Sequence, residues 1–411
     1  MKTLIKNISQ IVTCKPLEKG FARLSSIPNP VNGGNSILID NGRIAQIGSD
    51  INIDADKVID AEGGVVTPGF TDCHTHIVYK GSREDEFEMR AMGIGYKEIA
   101  ASGGGIVKSV SMTRQADEDE LYELAKKRLF NLINHGITSI EIKSGYGLNL
   151  KDELKQLRVI KRLKDEFSIN IKSTFLGAHE IPKEYKNDRK SYIELLVKTM
   201  IPEVGKTMLA DYIDVFCEEG VFSKEESERI LRAGMDYGMK PRLHADEIAQ
   251  SGGSSVAADL KVLSVDHFNN PDIADLKQIA ENKSVITLLP ATNFILRLLK
   301  KPPIEEMRAN GNIIAVSTDY NPGSSPVDSI SLAASIGMLN YGLKAEELIY
   351  AMTLNPSYSL ELSDITGSLE IGKYADILIH DIENYKQIFY YVGANNITHV
   401  FTKGILINGK K

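Results

Sequence analysis

The sequence predicts an α/β protein: a (β/α)8 barrel of the TIM type, with a small β-sandwich domain formed by both chain termini. Three features of the 411 residues point there. The centre alternates strand-like apolar runs with helical patterns, the two ends are rich in strand signals, and five of the eight histidines fall where predicted strands stop.

The ends come first. Ile37-Leu38-Ile39 and Ile44-Ala45-Gln46-Ile47 flank Asn41-Gly42, a dipeptide suited to a two-residue hairpin. Near the other terminus, Ala375-Asp376-Ile377-Leu378-Ile379, Val400-Phe401-Thr402 and Ile405-Leu406-Ile407 also read as strands. The economical arrangement joins residues 1–65 and 365–411 in one β domain, with residues 66–364 inserted between them as the barrel.

Eight apolar runs serve as barrel strands: Val65-Val66, Ile137–Ile142, Ile171–Leu176, Tyr212–Phe216, Pro241–Leu243, Val262–Val265, Val285–Leu289 and Ile313–Val316. Helical patterns fill most of the gaps. Leu121, Leu124, Ala125 and Leu132 follow one helix face that Gly136 ends. Ser223 with Glu226 makes a capping box, and Gly238 closes the segment it opens. A doubly wound open sheet has much the same pattern; eight strands separated by helices favour the closed barrel.

Composition narrows the function. A hydrophobic share of 42% and a charged share of 25% are ordinary for a soluble globular enzyme. A formal net charge of -7 repels phosphate backbones and argues against nucleic acid as a partner. No apolar run approaches the roughly 20 residues that cross a bilayer, and charge interrupts Met1-Lys2-Thr3-Leu4-Ile5-Lys6 too early for a secretory signal. Cys14, Cys73 and Cys217 are too far apart to suggest a disulfide framework, which fits a cytoplasmic protein with no membrane partner.

The chemistry gathers at strand ends. In Asp72-Cys73-His74-Thr75-His76 the two histidines lie two apart, so in an extended chain both imidazoles face one side. Alone, such a pair is weak evidence for a metal. His179 follows the third strand, His244 the fifth and His267 the sixth, and strand eight leads into Ser317-Thr318-Asp319. In a barrel these ends form the one rim where active sites sit. Imidazoles and a carboxylate gathered there are costly to desolvate unless they bind something, so the set reads as a metal site. His135, His380 and His399 lie at a helix end and in the β domain, as surface or packing residues.

The Pro68-Gly69-Phe70-Thr71-Asp72-Cys73-His74-Thr75-His76 segment, the later lone His and Asp, and the tail Gly367-Ser368-Leu369-Glu370-Ile371-Gly372-Lys373-Tyr374-Ala375-Asp376 resemble the amidohydrolase superfamily. Ser82–Arg90, Ser102-Gly103-Gly104-Gly105-Ile106, Lys143–Leu148 and Ser317–Gly323 resemble, more narrowly, its members that act in histidine breakdown. The resemblance implies a metal-activated water that opens the cyclic amide of 4-imidazolone-5-propanoate to N-formimidoyl-L-glutamate. It implies one Zn²⁺ or Fe³⁺ held by His74, His76, His244 and Asp319, with Asp319 also a base for the water. Glu247 would orient water or shuttle a proton, and His267 would polarise the carbonyl.

Arg83, Tyr146 and His179 are implied substrate contacts, joined on the last loop by Asn321, Gly323 and Ser324, with Tyr96 as a further candidate. A planar guanidinium suits the propanoate, although Arg83 also reads as a salt bridge within Glu84-Asp85-Glu86. Ser102-Gly103-Gly104-Gly105 reads as flexible loop or as an anion cradle. Relatives suggest a homodimer. The strand-four position that carries a bridging lysine in two-metal members reads Val215-Phe216-Cys217-Glu218-Glu219-Gly220, which favours one metal while leaving Cys217 or Glu218 open to a second. Two other readings are a nucleobase or formimidoylglutamate deaminase, which needs no anion clamp, and a non-catalytic scaffold, which would not need all four ligand positions filled.

Overall fold

The computed structural model describes residues 1–94 and 104–409. Eight strands form one parallel sheet in chain order: β1 (Phe70–Asp72), β2 (Ile137–Lys143), β3 (Asn170–Ala178), β4 (Tyr212–Cys217), β5 (Lys240–Ala245), β6 (Ser264–His267), β7 (Val285–Leu288) and β8 (Ile313–Val316). The segments that follow β8 and β1 close the ring. Thr75 bridges Tyr320 in parallel, the Asp319 amide donates to the His74 carbonyl at 3.1 Å, and the His76 amide donates to the Tyr320 carbonyl at 2.9 Å. The barrel expected from the sequence is the fold found.

Both faces of these strands are covered, so they read as near-continuous apolar runs rather than alternating ones. The helix Glu118–Asn134 buries Leu121, Ala125, Leu129 and Leu132, and its N-terminus is capped by Asp117, which accepts from the Glu120 amide at 2.8 Å. The helix Lys224–Asp236 starts at the Ser223–Glu226 capping box expected for it.

One expected barrel strand lies elsewhere. Val65–Pro68 pairs antiparallel with Ile377–His380 and parallel with Gln10–Val12, inside a six-stranded sheet of chain-end strands. The first barrel strand is instead Phe70–Asp72. The chain changes sheets at Gly69, whose amide donates to the Asp376 carbonyl at 2.9 Å, while the Phe70 amide donates to Gly136 at 3.0 Å. A Cβ at Gly69 would collide with the Thr138 side chain, so glycine is what lets β1 approach β2. A short apolar run fits either sheet, and periodicity alone does not choose between them.

The six-stranded sheet, which also holds Ile397–Thr402, Ile405–Gly409 and Val31–Asn32, is accompanied by a four-stranded sheet of Lys2–Lys6, Ser36–Asp40, Arg43–Gly48 and Lys57–Asp60. Ile5, Ile11, Ile37, Ile39, Val66, Ile377 and Phe401 form one apolar core shared by strands of both sheets. Asn41-Gly42 turns the Ser36–Asp40/Arg43–Gly48 hairpin as expected, with Asp40 opposite Arg43. Among the described residues no helix is long and apolar enough to cross a membrane.

Candidate active site

The strand ends bring the predicted residues to one rim. His74 and His76 follow β1, His179 follows β3, His244 lies in the last turn of β5, His267 ends β6, and Asp319 lies just beyond β8. His74, His76, His244, His267 and Asp319 are buried, and His179 is half-buried at the wall of a cavity of about 1000 Å³.

His74 Nε2 lies 3.3 Å from His76 Nε2, and each of these nitrogens is 3.5 Å from Asp319 Oδ1. Ligand atoms about 2.0–2.2 Å from a tetrahedral ion stand roughly 3.3–3.6 Å apart, so this triangle has the edge lengths of a metal site. The ring of His244 is 4.4 Å from that of His74 and 5.6 Å from that of His76, and its Nε2 is buried without a hydrogen-bond partner. His74, His244 and His267 make a second convergent triad that shares His74 with the first. Buried polar atoms left unpaired cost about 1–3 kcal/mol each, and a cation at the meeting point of the two triads relieves that cost. The donor set therefore fits a metal ion.

The protonation states fit as well. Burial pushes the pKa of His74, His76 and His267 well below the ordinary imidazole value, and neighbouring cationic or imidazole groups add to the effect. Neutral imidazole is the form that ligates. Burial also raises the Asp319 carboxyl to about 6, against the Thr292 hydroxyl that donates to its Oδ2 at 2.7 Å. Glu247 Oε1 stands 3.5 Å from His267 Nδ1, and burial, aided by Asp319 and Glu218, lifts its carboxyl well above the usual range. Glu218 holds the loop that carries Glu247. Its carboxylate accepts from the amides of Glu247, Ile248 and Ala249 at 2.8, 2.9 and 3.1 Å. Among the described residues, neither Cys217 nor Glu218 belongs to a convergent ligand group.

The same cavity is lined by the Arg83 guanidinium. Arg83 precedes the short helix Glu84–Ala91 and donates from Nε at 2.9 Å and Nη2 at 2.6 Å to Glu86 Oε2. Arg90 shares that oxygen at 3.4 Å and donates through Nη1 to the Gly323 carbonyl at 2.7 Å. The salt-bridge reading of Arg83 is thus correct in part, with Glu86 as the partner. The pair is buried, however, and both arginines line the cavity with one carboxylate between them. A Cβ at residue 323 would run into Arg83 Nη1, so a side chain there would push the guanidinium aside.

Tyr146 is buried, with its ring 5.5 Å from His179, on a loop pinned by Glu153, which accepts from the amides of Gly145, Gly147 and Leu148. His179 Nδ1 is 3.1 Å from the Gly145 carbonyl, so that nitrogen carries the proton and Nε2 is left as an acceptor. Asn321 turns both ends of its amide into its own loop: Oδ1 accepts from the Gly323 and Ser324 amides at 2.8 Å, and Nδ2 donates to the Asp319 carbonyl at 2.6 Å. Ser324 lines the cavity. Tyr96, Ser102 and Gly103 lie outside the described residues. His380 is buried away from the rim, 2.9 Å from Thr67 Oγ1.

Sequence reasoning missed a charged layer beneath the imidazoles. Glu141 and Lys143 (β2), Asp214 (β4), Arg242 (β5) and Asp266 (β6) are all fully buried. Charged residues inside otherwise apolar runs, such as Asp214 in Tyr212-Ile213-Asp214-Val215-Phe216, were the available signal. Arg90, which shares Glu86 with Arg83, was also missed.

Imidazoles and a carboxylate on the C-terminal rim of a parallel barrel, beside a cavity that a guanidinium also lines, make a site able to hold a metal ion. The chain belongs to the amidohydrolase family, whose model matches residues 65–407. It is 42% identical over 416 residues to an imidazolonepropionase of Clostridium tetani, covering 99% of this chain and 98% of the relative. It is 44% identical over 385 residues to an imidazolonepropionase of Geobacillus thermodenitrificans, covering 92% and 91%. The crystal structure of a 5-methylcytosine deaminase from Klebsiella pneumoniae aligns over 100% of this chain and 98% of that one, with a TM-score of 0.74 at 17% identity, a likeness of fold alone.

Proposed function

We propose that this chain hydrolyses the cyclic amide of 4-imidazolone-5-propanoate to N-formimidoyl-L-glutamate, using one Zn²⁺ or Fe³⁺ held by His74, His76, His244 and Asp319. The observation that carries the reading is the triangle of His74, His76 and Asp319, beside a cavity that Arg83 also lines. The names of the two relatives support the substrate.

When bound, the ion supplies Lewis-acid activation of water near neutral pH. Arg83, oriented by Glu86, takes the propanoate in a charge-assisted hydrogen bond and sets the ring against the histidines. Tyr146 and His179 border the ring. Asp319 accepts the proton of the attacking water. Neutral His267 donates to the carbonyl oxygen as negative charge develops there. Glu247, beside His267, orients water or relays its proton. Asn321 and Gly323 shape the last loop around Arg83, and Ser324 meets substrate or product.

The reading extends to a cytoplasmic homodimer; the three free, buried cysteines support a reducing compartment. It also treats residues 1–65 with 365–411 as a domain apart from a barrel of 66–364, the strand Val65–Pro68 crossing that boundary.

The test is turnover of 4-imidazolone-5-propanoate by zinc- or iron-loaded protein, beside the same ring without its propanoate, a panel of nucleobases, and formimidoylglutamate. Ring opening with a strong preference for the carboxylate-bearing ring is expected. Deamination of a nucleobase or of formimidoylglutamate, or indifference to the carboxylate, overturns the reading.

A further inference from the structure

The barrel interior beneath the rim is an unusual place for charge. Barrels of this kind are filled by layers of branched aliphatic side chains. Here Lys143, Glu141, Asp214, Asp266 and Arg242 are wholly buried together. Each buried ion loses its hydration, and well-packed apolar residues often fill such a layer with equal or greater stability. Stability alone therefore gives no reason for the layer, and its connections to the rim supply one.

Lys143 Nζ lies at the hub. It donates to Asp214 Oδ2 at 2.7 Å and to Glu141 Oε1 at 2.8 Å, and stands 3.7 Å from Asp266 Oδ2. The oxygens that face the ammonium on the two aspartates are the same ones that face the rim imidazoles. Asp266 Oδ2 accepts from His74 Nδ1 at 2.6 Å, and Asp214 Oδ2 lies 3.0 Å from His244 Nδ1, out of line for a good hydrogen bond. Asp214, His244 and Asp266 also converge as a candidate ligand group, but the cation between the two carboxylates is the Lys143 ammonium. The remaining charges hold the hub from below: Arg242 Nε is 3.1 Å from Glu141 Oε1, and Thr174 donates to the same oxygen. Burial alone would push the ammonium pKa down; the three carboxylates, led by Asp214, hold it up to about 12.

We propose that Lys143 is a positioning residue: by fixing Asp214 and Asp266 it holds the Nδ1 sides of His244 and His74, so that both Nε2 atoms are presented to one metal ion. The inference rests on the metal-site reading above. One ammonium thereby couples two ligands that come from opposite parts of the barrel. A carboxylate behind a ligating imidazole sets its tautomer and orientation, and loss of such a partner lowers metal affinity by about 10–100-fold.

The experiment uses the full chain, stripped of metal, and Zn²⁺ alone as probe. Zinc affinity is measured by chelator competition, metal-free stability by thermal unfolding, and histidine tautomers by ¹⁵N NMR. For Lys143→Met we expect affinity to fall about 10–100-fold, the His74 ring to lose its single Nδ1–H tautomer, and much of the rate to return at saturating zinc. Lys143→Arg should restore affinity to within a few-fold. A lower melting temperature with unchanged zinc affinity and tautomers assigns Lys143 to packing and overturns the proposal. Should Lys143→Met not fold, Lys143→Gln decides, because it keeps a donor beside Asp214 without the charge: weakened zinc binding with an altered His74 tautomer supports the proposal and unchanged binding overturns it. If the wild type binds no zinc, the metal-site reading itself fails.

Discussion

The two walls of the cavity are built differently. The imidazole wall stands at the ends of barrel strands, with Asp266 one layer down hydrogen-bonded to His74 and Asp214 close behind His244. The guanidinium wall stands on the start of a short helix and on the loop after β8, where Arg83 is held by Glu86, packed against Gly323 and backed by Arg90. Sheet hydrogen bonds fix the strands beneath the first wall, whereas the guanidinium groups of the second are set by contacts with Glu86 and the Gly323 carbonyl. Chemistry that tolerates little displacement sits on strands, and recognition of the substrate's tail sits on loops.

This contrast can be broken from either side. The largest effect is expected on the strand side: His244→Ala should abolish stoichiometric zinc binding and lower kcat by on the order of 1000-fold or more, because water then lacks its activator. Metal content and steady-state rates check this together. On the loop side, Arg83→Ala should keep the metal while kcat/KM for the propanoate substrate falls on the order of 100-fold, as one charge-assisted contact is lost. If Arg83→Ala released the metal, the two walls would not be separable.

Proton competition is a gentler probe of the strand side. The folded Asp319 carboxyl is raised to about 6 by burial, against an ordinary value of 3.8, so it is charged above that pH and protonated below it. Zinc affinity of the metal-free protein should be full above about pH 7 and drop up to tenfold per pH unit below about 6, as the ligand takes a proton. A flat profile between pH 5 and 7 would count against Asp319 as a ligand. The smallest effect belongs to Glu86→Gln, which leaves the guanidinium in place but less firmly held. KM should rise by roughly 3–10-fold with kcat nearly unchanged, and a substrate ring without the carboxylate should not respond.

What the sequence made legible follows the same division. Strand-borne ligands could be read because an extended chain repeats every two residues and a barrel gathers its strand ends on one rim. That logic placed His74, His76, His179, His244, His267 and Asp319 together, as the structure does. Arg83 and Tyr146 obey no such period and were reached only through family resemblance. The buried layer of Lys143, Asp214 and Asp266 was passed over because each charge sits inside an apolar run that reads as filler; which of these residues meet depends on strand register across the sheet. The Val65-Val66 run was assigned to the barrel because the sheet switch at Gly69 depends on close contact with Thr138, and no local pattern reports that.

The most direct test is a zinc-edge anomalous difference map of crystals of the zinc-loaded protein. The account predicts one strong peak about 2.0–2.2 Å from His74 Nε2, His76 Nε2, His244 Nε2 and Asp319 Oδ1. A peak lodged between Asp214 and Asp266 in place of the Lys143 ammonium, or no peak at the rim, would contradict it.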